Sequence, residues 1–120
     1  MTLALTLDPY ERWRSSVGEF FRLRGMYTPT GSLCEMSALL VGFDNGVGQP
    51  LVLDAFQGWM SARHPERPEL PFWLLAVHEA LNSHDVPAVR LLTAEEDKKA
   101  VDVLADLLVA FLDSRTTGQP

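Results

Sequence analysis

The chain has 120 residues, 47% of them apolar and 22% charged, with a formal net charge of −6. That is long enough for one domain whose core needs no staples, and too apolar for a disordered segment. The acidic balance favours a soluble protein and argues against nucleic acid, whose phosphates call for a basic surface.

The single cysteine, Cys34, excludes an intramolecular disulfide and a thiolate metal cluster. A lone thiol suits a reducing, cytoplasmic setting. Residues 1–7 lack the basic start and longer apolar run of a signal peptide. No segment approaches the ~20 apolar residues of a membrane span.

Residues 1–7 alternate apolar and small polar positions, which fits a short strand or, as preferred here, an extended arm that packs locally. Asp8, Pro9 and Glu11 then spell a helix start: a capping acid, a proline at the first position and a glutamate three residues after the cap. Tyr10, Trp13, Val17, Phe20 and Phe21 recur on one face, and Gly25 is a natural stop, so the first helix is predicted over 9–24. Ser32 and Glu35 form a second capping box. It opens a helix over 33–46 with Leu33, Met36, Leu39, Leu40 and Phe43 inward. Gly42 inside that stripe suggests close helix packing.

Leu53, Phe56, Trp59 and Met60 give a third helix within 51–63, although a strand over 51–53 is an alternative start. Pro65, Pro68 and Pro71 forbid a regular helix through 64–71. From Pro71 a fourth helix carries Phe72, Leu75, Ala76 and Leu81 inward and Trp73 at a boundary, fading at Asn82 and Ser83. Asp85 and Pro87 suggest a short helix to Leu92. Thr93 and Glu96 cap the last helix, predicted over 94–113, with Val101, Leu104, Leu108 and Phe111 buried. Residues 116–120 read as a frayed tail beyond a single domain over 1–115. The sum is an all-α fold, an irregular orthogonal bundle of five to six helices.

The chemistry-bearing candidates are few. His78-Glu79 is the nearest approach to an enzyme signature, but a zinc helix would need histidine where Asn82 stands. His64 and His84 fall in connectors without metal-ligand spacing, so no metal or cofactor is expected. Cys34 in a first helical turn has some potential for reactivity, yet a buried or half-buried structural cysteine is the stronger reading. Thr30, Gly31 and Ser32 precede a helix and offer amides for an anion, but there is no Walker motif, and a capped, solvated turn is preferred. Arg12, Arg14, Arg22 and Arg24 make the first helix the most basic element, although the first two diverge around it. Asp102 and Asp106 lie on the acidic face of the last helix, which would suit a basic partner. Tyr27 and Trp73 are the aromatic residues best placed for a partner surface.

Arg22-Leu23-Arg24-Gly25-Met26-Tyr27, then Gly31-Ser32-Leu33, then Ala38 through the Gly42-Phe43 pair, resembles a group of small bacterial proteins with no established activity. They carry an Arg-Pro-Gly-Met-Tyr motif, a Gly-Ser-Leu helix ending in Gly-Phe or Gly-Tyr, and an aromatic-x-x-Trp segment matched by Phe56 and Trp59. A tryptophan-started helix, matched by Trp73, and a Leu/Phe-rich last helix, matched over 104–112, complete the order. The sequence departs at Arg24, where that group has proline. The resemblance implies a bacterial cytoplasmic setting and a toxin-immunity or conflict-system neighbourhood.

The expectation is therefore a non-enzymatic module that binds another protein, as an immunity-type or accessory protein of a bacterial operon. The alternatives are a small enzyme or ligand-binding domain using Tyr27, His78 and Glu79, and a nucleic-acid-associated regulator using the arginines of the first helix.

Overall fold

A computed structural model describes residues 8–48, 51–83 and 92–117, with the side chains of 116 and 117 left aside. Within them the chain forms six helices: α1 Pro9–Arg22, α2 Arg24–Tyr27, α3 Leu33–Val47, α4 Val52–Arg63, α5 Phe72–Leu81 and α6 Ala94–Thr117. The fold is all-α, an irregular bundle with no strand among the described residues. The expected N-terminal arm and the short helix before Leu92 lie largely outside the described residues.

Local chemistry accounts for the helix starts. At α1 the Asp8 carboxylate accepts the Glu11 amide at 2.9 Å, and the Glu11 carboxylate accepts the Asp8 amide at 3.3 Å. Thr93 and Glu96 make the same reciprocal pair ahead of α6, at 2.9 and 3.1 Å. Each satisfies amides that a helix cannot pair internally. Two further starts are satisfied from a distance. Leu51 and Pro71 give α4 and α5 no side-chain cap of their own. Asp44 instead accepts the amides of Val52 and Leu53, and Gln57 accepts the Phe72 amide at 2.7 Å.

Two glycines behave differently from the sequence expectation. Gly25 does not stop the first helix; it sits inside α2, and the break falls at Leu23, whose φ of −110° and ψ of 31° leave the helical region. Gly42 is exposed, with open space where a Cβ would stand, so no close helix contact explains it. The α4 segment is helical from Val52, with no strand, and α6 continues to Thr117, past the predicted end at 113.

The buried apolar side chains form one cluster drawn from every helix except α2. Phe56 lies at its centre, with ring centroids 5.5 Å from Phe72 and 5.4 Å from Phe111. Truncating such a ring to alanine costs about 3–5 kcal/mol. The long α6 packs against α1, α3, α4 and α5 and is the spine of the bundle. α5 is buried on most of its circumference, including His78, which explains its almost wholly apolar sequence. The 64–71 connector is anchored by side chains of α4: Gln57 donates to the Leu70 carbonyl at 2.9 Å and Ser61 to that of Pro68 at 2.8 Å.

Candidate functional site

The corner formed by α2, the 28–32 loop and the start of α3 gathers most of the exposed irregular chemistry. The hydrogen bonds Met26 N–H to Leu23 O, at 2.7 Å, and Thr28 N–H to Arg24 O, at 2.9 Å, fix the short helix. Its two large side chains turn outward. Met26 is 80% exposed and Tyr27 is 42% exposed. Tyr27 is not loose: its ring meets Phe20 edge-on at 5.1 Å, and its hydroxyl donates to Glu19. That bond to a carboxylate, aided by partial burial and the Glu19 charge, holds the phenol above its ordinary value, while Arg22 pulls the other way.

The 28–32 loop has the donor pattern of an anion cradle, and a carboxylate of the chain itself occupies it. One oxygen of Glu35 accepts from the Thr30 amide at 2.7 Å, the Thr30 hydroxyl at 2.8 Å and the Gly31 amide at 3.0 Å. The Thr30 amide, then its hydroxyl, hold this carboxyl below the ordinary glutamate value against a smaller opposing effect of burial. The Ser32 hydroxyl accepts the Glu35 amide at 3.2 Å, as predicted for the cap. The Leu33 amide donates to Asp97 of α6 at 2.9 Å. Of the residues predicted to hold an anion, Thr30 and Gly31 therefore serve Glu35 and Ser32 serves α3.

Gly31 has φ +70°, and a Cβ there would stand 2.9 Å from Cγ of Arg24. Arg24 lies over the loop, donates to the Phe21 carbonyl at 3.1 Å and reaches Asp102 at 3.3 Å. Beside it a cleft of about 390 Å3 opens between the starts of α3 and α6, lined by Thr30, Ser32, Thr93, Asp97 and Lys98 among others.

The other sequence candidates are distributed around the molecule. Asp102 is paired with Arg24, and Asp106 is exposed on α6. Trp73 is half-buried at the edge of the core, the boundary position expected of it. Tyr27, His78 and Glu79 do not act as a set. The hydroxyl of Tyr27 serves Glu19 and His78 is buried in α5. Glu79 accepts from Arg63 Nε at 3.0 Å and Nη2 at 2.9 Å, and lies 2.7 Å from His64 Nε2. Burial pushes the Glu79 carboxyl up, but the hydrogen bonds and charges of Arg63 and His64 outweigh it and hold it below the ordinary value. Arg63 also stacks over Trp59, 5.1 Å from the ring centroid. This cluster joins the ends of α4 and α5.

Cys34 is exposed, against the expectation of a buried or half-buried structural thiol. It occupies the second position of α3, where the side chain projects away from the Leu33–Met36–Leu40 face. The four arginines read onto the first helix do not form a free basic face: Arg14 of α1 pairs with Asp113, and Arg24, which belongs to α2, pairs with Asp102. Among the described residues no cluster of histidine, cysteine and carboxylate side chains is arranged to hold a metal, and no helix is long and apolar enough to cross a membrane.

Sequence reasoning missed Asp44, Gln57 and Asp97 as caps acting between elements. It also gave Met26 no part beyond the motif, although the structure exposes it. A scan against protein-family models and searches of curated proteins and of solved structures return no match.

Proposed function

We propose that the protein is a non-enzymatic interaction module that binds another protein through the Met26–Tyr27 corner. The observation that carries this reading is the display of Met26, 80% exposed, on a short helix fixed at both ends. A flexible, polarisable side chain held outward on an ordered backbone is suited to insertion into a partner's apolar pocket. Tyr27 beside it offers a large contact area at small entropic cost, with its ring already braced by Phe20. The Glu19 and Arg22 charges around the pair supply a polar rim. An immunity-type or accessory role in a bacterial, cytoplasmic setting fits this reading, and the motif resemblance of residues 22–33 supports it.

Co-purification from the native host tests the reading, with wild type and Met26→Glu compared at equal amounts. A protein retained by wild type and lost with M26E, while the helical circular dichroism is unchanged, is the expected result. A companion retained equally by both would overturn the assignment to this corner.

A further inference from the structure

The pair Arg14–Asp113, with Arg24–Asp102 just past the end of α1, sets α1 and α6 antiparallel, and in that register Gly18 comes level with Val109. Beside the Arg14–Asp113 pair lies a groove of about 120 Å3 lined by Gly18 and Val109, with the buried Val17 and Leu112 on its floor. Gly18 is exposed, and a Cβ there would meet nothing within 4 Å. A mid-helix glycine weakens a helix, and here no contact within the chain calls for it. Opposite it Val109 is 40% exposed, an aliphatic side chain that the fold leaves uncovered. The outer faces of the two helices also differ in charge. Arg14 and Arg22 flank Gly18 at four-residue spacing on α1, and Asp106 and Asp113 flank Val109 on α6.

This face is complementary to itself. A two-fold axis parallel to the groove lays α1 of one copy on α6 of the other and keeps the antiparallel register. Val109 of each copy then sits over Gly18 of the other and Arg22 faces Asp106, while Arg14 and Asp113 keep their pair within each chain. An axis across the groove would oppose like charges, so only the first arrangement is favoured. We propose that the protein forms a two-fold homodimer through the α1–α6 groove, with Val109 seated over Gly18 of the second copy and Arg22 facing its Asp106. This surface shares Arg22 with the rim of the Met26–Tyr27 corner and includes neither Met26 nor Tyr27.

Sedimentation equilibrium on the full chain tests it, at concentrations up to about 0.1 mM, a range that detects dissociation constants of physiological weight. The expected mass is twice the 13.4 kDa of the chain. Val109→Lys and Gly18→Arg are each expected to raise the dimer dissociation constant at least about 100-fold, leaving helical content unchanged. Val41→Lys, on another exposed face, should leave it unchanged. Arg22→Asp and Asp106→Arg should each weaken the dimer, and the double variant should restore it, because the exchanged charges meet across the two-fold axis. Three results would overturn the proposal: a monomeric wild type, which would leave the groove to a different protein; a dimer indifferent to V109K; or no rescue in the double variant.

Discussion

The carboxylate of Asp44, near the end of α3, receives the amide of Val52 at 2.8 Å and so caps the helix that follows it. Its second oxygen takes the Leu53 amide at 3.1 Å, and the side chain is almost wholly buried. One residue thereby closes the turn between α3 and α4 and satisfies two donors that α4 cannot pair itself. Asp44→Ala is expected to cost about 2–3 kcal/mol, since both amides would be left buried and unpaired. Asp44→Asn keeps one acceptor oxygen and should cost less. Urea denaturation of both variants measures this, and a loss below about 0.5 kcal/mol for D44A would contradict the capping role.

Gly31 and Gly42 should respond in opposite directions to alanine. At Gly31 the positive φ strains any L side chain, and the Cβ would crowd Arg24. The expected loss is about 1–3 kcal/mol. Adding Arg24→Ala should recover the crowding part and leave the backbone part. At Gly42 the helix is regular and the space is open, so alanine should stabilise by roughly 0.5–1 kcal/mol. Melting temperatures of the two variants separate the cases directly.

Acid sensitivity should trace partly to Glu79. Its folded-state pKa lies below the unfolded value near 4.5, so its contribution is present above that value and is lost as pH falls through the folded one. Wild-type stability should therefore decline as pH drops below about 5. Glu79→Gln should be less stable than wild type at pH 7, and the gap should narrow on acidification. Denaturation midpoints across that range provide the check, and a gap that stays constant down to pH 3 would contradict the assignment.

Cys34 should react with a thiol reagent in the native protein. Its exposure predicts one equivalent modified in the native protein without denaturant. A thiol that reacts only after unfolding would place Cys34 inside the core.

Helix content and the identity of most core residues were legible because they depend on local rules. Asp8, Ser32 and Thr93 announce helix starts by short-range capping, and the spacing of Trp13, Val17 and Phe21 announces a buried face. The contacts that define the corner were not legible in the same way. Glu35 reaches back to Thr30 and Gly31, and Asp97 reaches Leu33 from 64 residues away, so the loop's amides look available in sequence and are occupied in space. Gly42 misled because a glycine within an apolar stripe is read as a packing signal, whereas its own position on the helix faces solvent. Nothing in the sequence singles Met26 out as a displayed residue, because methionine is usually apolar filling. Only the break at Leu23 turns it outward.

Hydrogen exchange on the co-purified complex tests the central claim most directly. The corner reading predicts added protection of amides over 24–32 in the complex, with the 64–71 connector unchanged. Protection confined to the connector or to the C-terminal half of α6, with 24–32 exchanging as in the free protein, would contradict it.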